Sequence, residues 1–288
     1  MAALTTAGPD HNQLTACEIP GAAGAMVREL GPRATVHGFD DEAGARIHGD
    51  LLDGDLAEVR EVLRAVLDVP GCVLDLAAGS GHLTMPLLAL RREVTAADSS
   101  PHRLAGLRRR LRDAPAAMRA RCATAYVDLD GFALGTRFAV IVLGASMVAG
   151  LDVEGRARLF GCVREHLAPG GRFLLSTVDH GELALPTETE SAVRTPGGKV
   201  YRVHEYWEPG ASSWFLTAYP ARLSTGIMPV CAVRRHVVDV TQLQAELGQA
   251  GLTVVSTTAL PVAGARHRPV LVEAVRSEDR GPAYPFLA

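Results

Sequence analysis

The hydrophobic and polar positions of this chain fall into two rhythms. Between residues 56 and 180, short apolar runs alternate with segments of helical spacing. Leu56, Val59, Val62, Leu63, Val66 and Leu67 recur three and four apart. That spacing predicts a helix, which Asp53 or Asp55 can cap and Pro70-Gly71 ends. From Cys72 onward, strands over 72–76, 94–98, 122–127, 138–144 and 171–177 alternate with helices near 81–90, 101–112 and 152–167. Asp152 can cap the last helix, and Pro169-Gly170-Gly171 closes it. Apolar strands alternating with helices predict a parallel sheet covered on both faces. Right-handed crossovers then gather the strand C-termini on one edge, where ligands bind.

The second rhythm begins after Asp179. Val200–Trp207, Trp214–Leu223 and Val230–Val240 are β-rich and separated by turn signals at Pro209-Gly210 and Thr225-Gly226. This predicts a small antiparallel insertion. A helix resumes at Thr241, where Gln244 completes a capping-box pattern and Gly251 supplies the stop. Leu252–Thr257 and Pro269–Val275 read as two final strands. At the other end, residues 1 to about 20 show no period, and Leu14 to Val27 could include a short helix. The Gly- and Asp-rich stretch Ala43 to Leu56 reads as a shaped loop. The expected fold is α/β, Rossmann-like and doubly wound, with a mostly parallel seven-stranded sheet and an antiparallel β-insertion after strand five. The expected organisation is an N-terminal arm and lid at 1–55 and a nucleotide-binding core at 56–180. An antiparallel, substrate-side insertion at 181–240 and completion of the sheet at 241–288 follow.

Composition narrows the function class. Acidic residues slightly outnumber basic ones, 32 to 29. No basic surplus marks a nucleic-acid binder, and Arg108-Arg109-Arg110-Leu111-Arg112 reads as a solvated helix face. The five cysteines are scattered without a C-x-x-C pair, so neither a zinc site nor a disulfide framework is expected. No signal pattern and no membrane-spanning run is visible, which fits a cytoplasmic protein with reduced thiols. Monomer and homodimer both remain open.

The run Val73-Leu74-Asp75-Leu76-Ala77-Ala78-Gly79-Ser80-Gly81 carries the chemistry. It reads as a buried strand, a tight glycine turn and a helix start. Glycines two apart let backbone pass close under a ligand. The third glycine of a dinucleotide fingerprint is replaced by Thr84, and no phosphate-loop lysine is present. Asp75 at the strand end opposes a pyrophosphate and suits a cation such as an ammonium or a sulfonium. At Asp98, which ends the second strand, a carboxylate can accept ribose hydroxyls or begin the next helix.

These residues resemble the class I S-adenosylmethionine-dependent methyltransferases, whose first motif is similar to V-L-D-x-A-x-G-x-G. The resemblance implies S-adenosylmethionine as cofactor. It implies cofactor contacts at Asp75, Ala77, Gly79, Gly81, Asp98 and Ser99, adenine contacts at Asp128 and Leu129, and Gly144 beside the methionine part. A turn is the other reading at this place, and it suits Asp130, since Asp130-Gly131 is itself a turn signal. Many amine and nucleobase methyltransferases carry an N-P-P-Y-type motif after the fourth strand. Gly144-Ala145-Ser146 stands there instead, which argues against nucleobase methylation. Ser146 can touch cofactor, nucleophile or only nearby backbone. The chain further resembles small-molecule N,N-dimethyltransferases and, over Val73–Leu90, Phe132–Phe138, Gly155–Asp179 and the helix holding Glu58-Val59-Arg60-Glu61, the methyltransferases of daptide-type ribosomal peptide clusters. The implied acceptor is an amine of a peptide or small natural product. An O-methyltransferase or a noncatalytic cofactor-binding partner protein is the alternative. Candidate proton acceptors are His48 and His180. Candidate substrate contacts are Tyr201, Glu205, Trp207 and Trp214, where aromatic faces and a carboxylate suit a cationic amine. No metal site is expected.

Overall fold

The computed structural model describes residues 12–54, 56–179, 186–222, 226–261 and 268–279. The alternating half of the sequence builds a seven-stranded sheet. Its strands are β2 (Val73–Leu76), β3 (Val94–Asp98), β4 (Cys122–Tyr126), β5 (Phe138–Leu143), β6 (Leu167–Asp179), β11 (Leu252–Ala259) and β12 (Arg268–Arg276). They lie in the order β11-β12-β6-β5-β2-β3-β4, and β12 alone runs against the rest. Helices α3 (Leu56–Leu67), α4 (Thr84–Ala89) and α5 (Pro101–Asp113) cover one face through Val62, Val66, Leu87, Leu88, Leu104 and Leu107. On the other face, α7 (Val153–His166) and α8 (Val240–Gln249) pack Leu159, Phe160, Val163, Leu243 and Leu247. Burial on both sides is why the central strands read as unbroken apolar runs. A short α6 (Ala116–Arg119) leads into β4.

The second sheet has five strands rather than the three expected. The β-rich stretches become β8 (Val200–Tyr206), β9 (Ser213–Pro220) and β10 (Met228–His236), and β7 (Glu188–Arg194) joins one edge. The other edge is β1 (Ala34–His37), which pairs in parallel with β10. β1 is only four residues long and has no alternation, so no period in the sequence announced it. The N-terminal segment is therefore built into the same sheet as the insertion.

Two helices sandwich this sheet. α1 (Gly21–Leu30) packs Ala23, Val27 and Leu30 against Tyr219, Val230 and Ala232. α2 (Glu42–Leu52) packs Ile47 against Tyr201, Ala218, Cys231 and Val233 on the opposite face. The sequence reading of 43–56 as a loop is corrected here. Asp41 caps α2 by accepting the Gly44 N–H at 2.8 Å. The glycines that suggested a loop are close contacts. A Cβ on Gly44 would lie 1.6 Å from the Gly38 carbonyl oxygen, and one on Gly49 2.9 Å from Ser80 Oγ. The start of α8 is likewise set by Asp239, which accepts the Gln242 N–H at 2.7 Å, rather than by Thr241.

Candidate active site

α2 lies between the second sheet and the C-terminal edge of the first. A pocket forms beneath it, walled by Ala45, His48, Gly49 and Leu52 of α2, Asp75 to Leu83 of the glycine turn, Arg103, and Gly144-Ala145 after β5. The turn bends sharply. Ala77, Gly79 and Gly81 take φ of 53°, 58° and 95°. A left-handed Ala is uncommon and marks backbone held in place by its surroundings. A Cβ on Gly81 would meet Leu107 Cδ1 at 2.7 Å, so only glycine fits.

Three buried carboxylates stand behind this wall. Asp75 accepts the Thr84 hydroxyl at 2.5 Å. Burial pushes its carboxyl up to about 7; Thr84 and His82 oppose the rise, and Asp98 and Glu58 add to it. Asp98 accepts the Gly79 N–H at 2.8 Å, the Ser100 N–H at 2.8 Å and the Arg103 Nε–H at 3.0 Å. Arg103 continues to Asp40 at 2.8 Å, tying the chain just before α2 to the core. Ser100 Oγ bonds the Asp40 carbonyl at 2.7 Å. Glu58, from α3, accepts the Ala145 N–H at 2.9 and 3.1 Å, and its Oε2 lies 3.7 Å from His82 Nε2. That His82 nitrogen is buried without a hydrogen bond among the described residues. Arg103 compensates Asp98, and a cationic ligand would further compensate the buried carboxylates. The wall thus fits the sulfonium and ammonium of S-adenosylmethionine.

Several expected residues converge on this pocket: Asp75, Ala77, Gly79, Gly144 and His48 line it, Gly81 closes the turn, and Asp98 holds Gly79. Ser99 stands half-buried between Asp98 and the cap of α5. Asp128 is exposed beyond β4, with its carbonyl accepting the Gly131 N–H of a turn, and Leu129 packs on the core. His48 stacks on Phe39 at 4.0 Å between ring centroids. Burial first, then Arg103, Arg235 and His82, hold its imidazole well below the ordinary range. It lines the pocket as a neutral ring. His180 lies outside the described residues.

The four expected substrate residues divide. Tyr201 donates its hydroxyl to Asp50 at 2.5 Å and so anchors α2 from behind rather than lining the pocket. Trp207 closes a turn through Nε1 to the Ala211 carbonyl at 3.0 Å. Register places Glu205 and Trp214 on the same sheet face as Tyr201 and Arg235, the face that meets α2. Arg235 is buried and donates to the Ser146 carbonyl at 2.5 Å.

Glu58 and Arg103 were not singled out as site residues from the sequence. Glu58 did leave a signal, because it lies four and eight residues before Val62 and Val66 on the buried stripe of α3. An acidic residue on such a stripe is a candidate functional group.

Residues 73–171 match the family model described as a methyltransferase domain. No curated protein matches the chain. Among solved structures, the glycopeptide N-methyltransferase MtfA in complex with S-adenosyl-L-methionine is 37% identical, over 88% of this chain and 96% of that one, with a TM-score of 0.63. Its complex with S-adenosyl-L-homocysteine is also 37% identical, over 89% and 98%, with a TM-score of 0.64. The CcbJ methyltransferase from Streptomyces caelestis shares the fold at 20% identity, over 83% and 99%, with a TM-score of 0.69. Identity of this level over nearly the whole of both chains, on a Rossmann-like sheet with the pocket at its ligand edge, makes this chain a member of the class I S-adenosylmethionine-dependent methyltransferases, with S-adenosylmethionine as its cofactor.

Proposed function

We propose that the chain transfers methyl groups from S-adenosylmethionine to an amine of a peptide or small natural product, up to two on one nitrogen. The observation that carries this reading is the extended likeness to a glycopeptide N-methyltransferase. The pocket is consistent with it. Asp75, Ala77, Gly79 and Gly81 would hold the methionine part, Asp98 the ribose, and Ser99, Asp128 and Leu129 the adenine side. Bound S-adenosylmethionine supplies an electrophilic methyl group. The protein contributes placement and exclusion of water, which account for much of the rate in such transfers. α2 and the second sheet supply the cover, latched at Arg103–Asp40 and at Tyr201–Asp50. His48 and His180 remain the candidate proton acceptors, and Glu205 and Trp214 the candidate contacts to the acceptor. A neutral amine needs no strong base before attack, only a route for its proton afterwards. The protein incubated with S-adenosylmethionine and a panel of peptide amines, amino sugars and matching alcohols should add the mass of one or two methyl groups to amines alone. Methylation of the alcohols, or of nothing while the cofactor binds, would overturn this reading.

A further inference from the structure

The turn after β5 contains two strained residues in succession. Ala145 and Ser146 take φ of 53° and 50°. A left-handed residue with a side chain is strained and persists only where its surroundings over-determine it. Three buried side chains from three elements do so. Glu58 of α3 takes the Ala145 N–H at 2.9 and 3.1 Å. Ser176 Oγ of β6 takes the Ser146 N–H at 2.8 Å. Arg235 of β10 donates to the Ser146 carbonyl at 2.5 Å. The residue before the turn is equally constrained, because a Cβ on Gly144 would lie 2.5 Å from Leu83 Cδ1 and 3.1 Å from Glu58 Oε1.

One backbone acceptor of this turn is left over. The Gly144 carbonyl accepts from Met147 and the Ser146 carbonyl from Ala149, but among the described residues no donor reaches the Ala145 carbonyl. Ala145 itself lines the pocket. Ala145 is half-buried, so a carbonyl that no protein donor takes stays open to water or to a ligand at the pocket wall.

We propose that the Ala145–Ser146 turn is the element that orients the acceptor amine. Its Ala145 carbonyl accepts an amine N–H, and Glu58, Ser176 and Arg235 are positioning residues that hold that carbonyl in place. This rests on the reading of the chain as an N-methyltransferase. An amine anchored by one N–H presents its lone pair in a fixed direction. The nitrogen lone pair forms the new N–C bond while the sulfonium S–C bond breaks, and that electron pair stays on sulfur. The ammonium product keeps its N–H on the carbonyl, now as a stronger charge-assisted bond, until its proton is passed on. Primary and secondary amines have an N–H to offer. A tertiary amine has none, so the same contact stops transfer after two methyl groups.

The test uses a short peptide amide whose terminal amine is primary, monomethylated or dimethylated, at a pH where all three are neutral. Binding is measured by calorimetry with excess S-adenosylhomocysteine, so that no transfer occurs. The wild type should bind the dimethylated form at least about tenfold more weakly than the monomethylated one, the loss expected for one hydrogen bond to a well-placed acceptor. Ser176→Ala should bring that ratio to about one and slow single-turnover methylation at least roughly tenfold, with cofactor affinity kept, because misplacement rather than binding is at fault. Ser176→Thr, which keeps the acceptor oxygen, should restore both. Glu58→Gln, which still accepts the Ala145 N–H, should stay near wild type, whereas Glu58→Met should not. Equal binding of all three amines by the wild type, or wild-type rates in Ser176→Ala, would overturn the proposal while leaving N-methyl transfer intact. Transfer to a hydroxyl instead of an amine would overturn both.

Discussion

Asp75→Asn separates the stability of this protein from its use of charge. Asp75 is 1% exposed and its carboxyl is pushed from 3.8 up to about 7, chiefly by burial. A difference of that size corresponds to roughly 4 kcal/mol between protonated and ionised forms, as an upper bound. The folded-state value is raised. The favourable contribution is therefore fully present below about pH 4, is lost as pH rises towards 7, and above 7 the ionised group strains the fold. Asparagine keeps an acceptor for the Thr84 hydroxyl and removes the charge. Its amide hydrogens need new partners, which returns about 1–3 kcal/mol of the gain. Denaturant unfolding should then find the variant more stable than wild type by about 1–3 kcal/mol at pH 8, with the advantage gone near pH 4. Cofactor binding should move the other way. A cation in contact with the carboxylate gains about 4 kcal/mol at an effective dielectric constant of about 20, so affinity should fall at least tenfold. Near pH 7 the wild type should also release a fraction of a proton on binding, seen as a buffer-dependent calorimetric enthalpy, and the variant should not. A variant that is less stable at pH 8 and binds S-adenosylmethionine with wild-type affinity would refute the reasoning.

Two further outcomes are expected. Gly81→Val places a Cβ against Leu107 Cδ1 in a left-handed backbone, so titration with S-adenosylmethionine should show binding lost, and thermal melting should show a destabilisation of about 1–3 kcal/mol. His48 is held neutral well below the usual imidazole range, so His48→Gln should leave the pH–rate profile unchanged in shape between about pH 6 and 8, and a lost inflection there would assign the proton to His48.

The glycine turn was legible because its requirement is local. Left-handed backbone and close approach demand small residues at fixed spacing, and the flanking apolar runs declare the strand and helix. Asp75 and Asp98 were legible for the same reason, since each lies at or next to the end of a strand whose place in the sheet follows from alternation. Glu58 was only half legible. Its position on a buried stripe is a local fact, but its partner Ala145 lies 87 residues away. Tyr201 and Trp207 were legible only as aromatic residues in an insertion near a ligand edge, whereas the Tyr201 hydroxyl bond to Asp50 and the turn closed by the Trp207 indole left no local pattern. α2 itself was hidden because its glycines serve contacts with Gly38 and Ser80, which no helical propensity encodes.

What the sequence determined by itself is therefore the core: the order of strands and helices, the parallel sheet, and a cation-suited turn at its edge. These follow from periodicity, glycine placement and charge within a few residues of one another. What only the tertiary structure decided is how the cover is built and the shape of the pocket. It paired a four-residue strand near the N-terminus with β10, laid α2 over the glycine turn, and brought Glu58, Ser176 and Arg235 onto two strained residues. The physical reason is separation along the chain. A hydrogen bond or packing contact between distant segments has no period to leave in the sequence, and only the closed fold brings its two ends together.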